Sequence, residues 1–170
     1  ISRAEDPEVW DGTVIGSLTE MNGSGTVDAP YEIENGSQLA YVVSTNLDDG
    51  LYFKVVKDIY LNDTSLENWQ ESARNWVWAD VRFGGTFDGD GHTINGLYFN
   101  GNQKRFGLFS FVGDTLITNV KFTNAYINNT TSEEGQAIVA AQASAKADFD
   151  KIYIDETCSI NAPNVKGVAG

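Results

Sequence analysis

Residues 51–63, LYFKVVKDIYLND, alternate apolar and polar side chains as an extended chain does. Four apolar residues share one face of this segment: Phe53, Val55, Ile59 and Leu61. Lys57 interrupts the alternation, so the pattern predicts either one strand or two strands separated by a bend at Lys57 and Asp58. We expect strands of this kind to make up the chain from residue 51 to residue 170.

A short amphipathic helix is predicted before these strands. Four apolar residues recur there at helical spacing: Leu39, Val42, Val43 and Leu47. Asn35 is a suitable N-cap, with Gln38 following in the first turn. The pattern predicts a helix over residues 35–48. Residues 1–34 are rich in Gly, Ser, Thr, Asp and Pro and are predicted to be an N-terminal loop region.

Two patterns recur along the second half of the chain. The segments INGLYF, ITNVKF and FDKIYI share an apolar-x-x-apolar-x-apolar pattern and begin at Ile94, Ile117 and Phe149, at unequal intervals. The segments GLFSFVG, AIVAAQA and GVAG begin at Gly107, Ala137 and Gly167, at equal intervals. Such self-similarity is typical of a solenoid in which each coil contributes the same strands, with loop insertions where the intervals differ.

The repeats predict an all-β fold, a parallel β-helix whose first coil is capped by the helix. Gly, Asn and Asp turns separate the strands where an α/β sheet would have crossover helices. Four asparagines suit the corners and could stack between coils: Asn119, Asn124, Asn128 and Asn129. An antiparallel β-sandwich is the alternative. Because VKGVAG at residues 165–170 breaks off within a repeat, we expect further coils to follow in a longer parent chain.

Composition narrows the possible partners. The chain has 170 residues, enough for one domain, and its 24 acidic and 11 basic residues give a net charge of -13. A nucleic-acid backbone would be repelled by this charge. No apolar run is long enough to insert into a membrane. The single cysteine, Cys158, excludes an internal disulfide and is expected to be an inert, buried thiol.

Several motifs together resemble one family. GSGTVDAPYEIENGSQLAYV, YFKVVKDIYLND, FGGTFDGDGHTINGLYF and GLFSFVG with ITNVKFTNAYI follow one another along nearly the whole chain, after VWDGT near its start. This series resembles the GLUG-repeat β-helix proteins of bacterial cell surfaces. The resemblance implies a right-handed parallel β-helix in a secreted or surface-anchored, often adhesin-like, bacterial protein. It implies no common catalytic activity.

The motif DGDGHT places the only histidine close to two aspartates, in the segment Asp88, Gly89, Asp90, Gly91 and His92. An EF-hand loop counted from Asp88 would need Gly at its sixth position and an acid at its twelfth, where the chain has Thr93 and Phe99. A transition metal would need further ligands. An acid-base pair is chemically possible, but a structural turn is the favoured interpretation. In that turn the aspartates accept backbone N–H groups, both glycines adopt conformations closed to other residues, and His92 begins the next strand.

The aromatic residues Trp69, Trp76, Trp78 and Tyr98 are the predicted binding residues, because flat rings contact the apolar faces of sugars and supply interface hot spots. The three tryptophans lie in residues 64–83, which have no clean period and are predicted to be an ordered loop. The alternative, which the sequence supports equally, is that at least one of these rings packs in the core instead of binding a ligand.

The leading functional hypothesis is a non-enzymatic β-helical module, outside the cell or on a bacterial surface, that binds a host or glycan partner. No catalytic residue or cofactor is predicted, although calcium could bridge the anionic surface to an acidic polysaccharide. A carbohydrate-active β-helix enzyme, a polysaccharide lyase or hydrolase, is one alternative. Lys104 and Arg105, the only adjacent basic pair, are expected on a solvated loop and do not supply the basic cluster of a lyase. A purely structural stalk is the other alternative.

Overall fold

Parallel strands wind into a β-solenoid, and one short helix joins them. The computed structural model describes residues 6–165. The helix α1 spans Gly36–Ser44, and single 3₁₀ turns occupy Leu18–Glu20 and Trp69–Glu71. The strands are β1 (Tyr31–Ile33), β2 (Tyr52–Val55), β3 (Ile59–Tyr60), β4 (Arg82–Phe83), β5 (Thr86–Asp88), β6 (Thr93–Asn95), β7 (Tyr98–Asn100), β8 (Phe111–Val112), β9 (Thr115–Thr123), β10 (Tyr126–Asn128), β11 (Ala147–Ile154) and β12 (Ser159–Asn161).

Successive coils place equivalent strands side by side in four stacks. The first stack contains β1, β2, β5 and the leading halves of β9 and β11, and the second contains β3, β6 and the trailing halves of β9 and β11. The third stack is β7, β10 and β12, and the fourth is β4 and β8, extended by a bridge from Val112 to Ala143. All of these pairings are parallel, which confirms the parallel β-helix. Right-handed winding stays a prediction.

Left-handed residues turn the chain at the corners between stacks. Asn119 bends β9 with a φ of 57°, and Asn124 turns the chain after β9 with a φ of 50°. Both asparagines were predicted at corners, and asparagine tolerates this region better than most residues. Lys151 bends β11 at the position equivalent to Asn119, with a φ of 52°, and nothing in the sequence singled it out.

Asparagine side chains link neighbouring coils, as predicted for stacked corners. Asn128 donates from Nδ2 to Asn100 Oδ1 at 3.0 Å, and Asn161 donates in the same way to Asn128 at 2.8 Å. Asn124 donates to Asn95 Oδ1 at 2.9 Å. Asn119 and Asn129 do not stack. The Asn119 side chain has no hydrogen bond within residues 6–165, and the buried amide of Asn129 donates to the carbonyl of Gln103 at 2.6 Å.

Aligned apolar side chains from each stack fill the interior. In the first stack, the register aligns Tyr31, Phe53, Phe87, Ile117 and Phe149. Phe53, Phe87 and Ile117 are at most 1% exposed, whereas the residues on either side of them point outward. Alternation therefore sets the faces of these short strands.

The register corrects one of the predicted repeats. Ile117 faces Phe149, so the predicted alignment of ITNVKF with FDKIYI is confirmed. Ile94, however, faces Phe122, and Phe87 is the residue that faces Ile117. Each coil has more than one corner, and each corner joins two strands. The two segments share a pattern because both run from one strand through a corner into the next strand, although at different corners. INGLYF passes through the corner at Gly96, whereas ITNVKF passes through the corner at Asn119.

The repeats around Gly107 align largely as predicted. Phe106 bridges Gln136, which is the alignment that the repeat predicts, and Phe109 bridges Ala140, one position further along than predicted. The third member, GVAG at residues 167–170, lies outside the described residues. The segment 64–83 is a loop with one 3₁₀ turn, and only its last two residues form a strand, β4.

The N-terminal boundaries differ from prediction. The helix begins after Asn35, whose Oδ1 accepts a hydrogen bond from the amide of Gln38 at 3.0 Å, as expected. It ends at Ser44, so residues 45–48 are not helical, although Leu47 still packs against the core. Parallel pairing begins within the supposed loop region 1–34, because Val9 bridges Tyr60 and Tyr31–Ile33 pairs with β2. The buried face of α1 belongs to the same apolar cluster as the coil interior.

The interior is open at the other end of the described solenoid. Phe149, Ile154 and Ile160 are 44%, 44% and 42% exposed, and they line an apolar cavity of about 490 Å³ with Ile138 and Ile152. Further coils over this end stay a prediction. No helix within residues 6–165 has the length and apolarity required to cross a membrane.

Candidate functional site

The DGDGHT segment forms the corner between β5 and β6. Asp88 Oδ1 accepts the amide of Asp90 at 2.8 Å, and the amide of His92 donates to the carbonyl of Gly89 at 2.8 Å. These bonds are those of a structural turn. The left-handed pair is Asp90, with a φ of 48°, and Gly91, with a φ of 76°.

Details of this corner differ from the predicted turn. Gly89 does not have a positive φ; it is needed for space, since a Cβ there would lie 2.5 Å from the carbonyl oxygen of Asn119 in the next coil. The Asp90 carboxylate forms an ion pair with Lys54 Nζ at 3.4 Å. His92 directly precedes β6 rather than beginning it.

His92 pairs with neither aspartate of its own motif. Its Nδ1 lies 3.2 Å from Asp58 Oδ1, and the same oxygen accepts the amide of Thr93 at 2.9 Å. This contact ties the corner to the bend between β2 and β3, in the preceding coil. Within residues 6–165, no three His, Cys, Asp or Glu side chains converge as metal ligands would.

Three of the four aromatic candidates are buried, and Trp76 is the one that belongs to the core cluster. Trp76 is 3% exposed and meets Trp10 edge-on at a centroid distance of 4.8 Å. Trp69 packs edge-on against Tyr98 at 5.8 Å, and Tyr98 stacks on Tyr126 of the next coil at 5.6 Å. These buried rings offer no open face to a ligand, which corresponds to the core-packing alternative.

Trp78 is the one of the four with a substantially exposed ring, at 36%. Its Nε1 donates to the carbonyl of Arg105 at 2.6 Å. The Arg105 guanidinium is bonded to Asp80 at 2.6 Å and to Gln142. Arg105 therefore braces the base of the tryptophan loop and is not the freely solvated side chain that was expected.

Cys158 is half-buried, with its Sγ 3.4 Å from the carbonyl oxygen of Phe122, to which it donates. Burial raises the pKa of this thiol, and the nearby Asp155 carboxylate acts in the same direction. A raised pKa lowers the fraction of reactive thiolate at neutral pH.

A polar groove of about 570 Å³ lies on the outer face of the first stack, where sequence reasoning placed no site. Its floor is a row of outward residues on four successive coils: Tyr52, Thr86, Leu116 and Asp148. Each of them precedes a residue of the buried row. The sequence could have indicated this surface only after the register between coils was known.

One wall of the groove is an ion pair held against glycines. Arg82 Nη1 lies 2.6 Å from Asp49 Oδ1. A Cβ on Gly84 would collide with this Asp49 oxygen, and a Cβ on Gly113 would collide with the Arg82 guanidinium. Glycine at these two positions therefore lets the pair lie close to the backbone.

The other end of the groove is more open. Lys146 Nζ lies 3.9 Å from Asp114 Oδ2, and both side chains are largely exposed. Asp148 has no side-chain hydrogen bond or ion pair to any group within residues 6–165. The groove thus combines an aromatic ring, an exposed leucine, paired cations and an unpaired carboxylate.

Comparison with known proteins gives one distant relative. The chain is 27% identical over 124 residues to halomucin of Haloquadratum walsbyi (strain DSM 16790 / HBSQ001), a match that spans 69% of this chain and 1% of halomucin. No family model matches the chain, and no solved structure matches it. The likeness to GLUG-repeat proteins therefore remains a resemblance of motifs.

Proposed function

We propose that this chain is a non-catalytic β-helical module of a secreted or cell-surface protein, which exposes its outer faces and loops to a glycan or protein partner. The observation that carries the proposal is the regular stack of coils, in which parallel strands and asparagine hydrogen bonds join each coil to the next. Rigid scaffolds of this kind commonly support binding surfaces.

The similarity to a segment of halomucin supports an extracellular or cell-surface location. The net charge of -13 favours a well-solvated exterior and disfavours anionic partners. The bacterial origin and adhesive role implied by the motif resemblance stay predictions.

A polysaccharide screen tests the proposal against the enzymatic alternative. The purified chain is incubated with host and plant polysaccharides, and both reducing-end formation and retention on the immobilised polysaccharide are measured. Retention without product formation supports a binding module. Product formation that increases with protein concentration would overturn it in favour of a carbohydrate-active enzyme, and neither retention nor products would favour a structural stalk.

A further inference from the structure

We propose that the groove on the outer face of the first stack, whose floor is the row from Tyr52 to Asp148, binds an extended, uncharged glycan chain. This inference rests on the proposed function and assigns the ligand class and its position. The predicted aromatic residues do not provide this site, because three of their rings are buried.

The geometry of the floor suits a linear ligand. Tyr52, Thr86, Leu116 and Asp148 lie on neighbouring parallel strands in direct register. Since adjacent strands are about 4.8 Å apart, the row spans about 14 Å along the solenoid axis. The groove's lining extends along this direction from Tyr52 to Asp148, so a polymer lying parallel to the axis can contact four coils in turn.

The chemistry of the floor matches a sugar chain, which has apolar C–H faces and a rim of hydroxyl groups. The half-buried Tyr52 ring and the 37% exposed Leu116 side chain provide apolar contact. Between and beyond them, the Thr86 hydroxyl and the Asp148 carboxylate have no partner within residues 6–165 and can bond sugar hydroxyls. Arg82, fixed by Asp49, adds donors at the wall.

The charges favour an uncharged ligand. The lining has three carboxylates and two cations: Asp49, Asp114, Asp148, Arg82 and Lys146. Each cation is already paired with a carboxylate, so the unpaired charge in the groove is negative. Glycans that carry uronate or sulfate groups would be repelled by this carboxylate and by the protein's net charge of -13. A basic peptide would have to lie beside Arg82 and Lys146.

The test is titration of the intact chain, followed by ¹⁵N NMR, with cellohexaose, xylohexaose, mannohexaose and maltohexaose. Oligogalacturonate and an oligolysine peptide are the charged comparisons. We expect at least one neutral hexasaccharide to shift the amides of Tyr52, Thr86, Leu116 and Asp148. Tyr52→Ala and Asp148→Asn should each weaken its binding about tenfold. Tyr52→Phe should retain most of the affinity, since it keeps the ring.

Tyr153→Ala is the matched control, because Tyr153 is a 56% exposed tyrosine of the second stack, outside the groove. It should leave affinity unchanged, and unaltered spectra away from each substitution verify folding. The proposal is overturned if only a charged probe binds, or if no probe binds at millimolar concentration. Neutral-glycan binding that shifts residues around Trp78 and is insensitive to Tyr52→Ala would also overturn it, while leaving the proposed function intact. Cleavage of a hexasaccharide would instead contradict the proposed function.

Discussion

Two left-handed corner asparagines allow backbone geometry to be separated from the ladder between coils. Asn119 and Asn124 have φ values of 57° and 50°. The Asn124 side chain donates to Asn95 Oδ1 at 2.9 Å, whereas the Asn119 side chain has no hydrogen bond to another described residue. Substituting each with glycine and with alanine therefore gives four variants with different expected costs.

Glycine keeps the left-handed backbone and removes only the side chain. Asn119→Gly should change the free energy of unfolding by no more than about 0.5 kcal/mol. Asn124→Gly should lose about 0.5–1.5 kcal/mol with its hydrogen bond. Alanine is strained at positive φ, so Asn119→Ala should cost about 1–2 kcal/mol. Asn124→Ala should cost about 1.5–3.5 kcal/mol, because both effects act there.

Urea denaturation followed by circular dichroism measures these differences, with the slope of each transition checked for constancy. The reasoning about the ladder is refuted if glycine is no more costly at Asn124 than at Asn119. The reasoning about the corners is refuted if alanine is tolerated as well as glycine at both positions.

Four further predictions follow from burial and charge. Phe87→Ala should cost about 3–5 kcal/mol because Phe87 is fully buried, whereas Phe149→Ala, at 44% exposure in the same row, should cost about 1–2 kcal/mol; equal costs in urea denaturation would contradict the open end of the interior at Phe149. The Cys158 thiol should react with iodoacetamide more slowly than free cysteine at about pH 8.5, since its pKa is raised, and a faster reaction would be inconsistent with its burial. Raising the ionic strength from about 0.01 M to about 1 M should increase the Tm in thermal scans, because the charge of -13 is screened; a lower Tm would show that attractive surface pairs dominate. His92→Gln should change the free energy of unfolding by at most about 0.5 kcal/mol, and a sharp loss of a measurable activity would restore a chemical role for His92.

The fold could be predicted from sequence because its determinants are local. Alternation in residues 51–63 fixed the faces of β2 and β3, and the bend at Lys57 and Asp58 separates them as expected. Asn119 and Asn124 could be placed at corners because few other side chains tolerate their backbone conformation. Lys151 could not, since its left-handed conformation follows from continuing the register of β9 into β11.

The groove could not be predicted for the same reason. Tyr52, Thr86, Leu116 and Asp148 are far apart along the chain, each on a different coil, and only the register between coils aligns them. The sequence repeat aligns Ile94 with Ile117, and this alignment across different corners hides the row. Tryptophan rings suit both ligand binding and packing, and the structure uses those of Trp69 and Trp76 for packing.

Parallel stacking of coils is the central claim, and scalar couplings across backbone hydrogen bonds test it most directly. The structure predicts NMR couplings from the amide of Gly89 to the carbonyl of Thr118, at an N to O distance of 2.8 Å, and from Tyr126 to Leu97, at 2.7 Å. Ser159 should couple likewise to Ala125, at 2.8 Å. Couplings between these distant pairs would establish the coil register. Couplings in which one partner's residue number falls as the other's rises would indicate an antiparallel β-sandwich and contradict it.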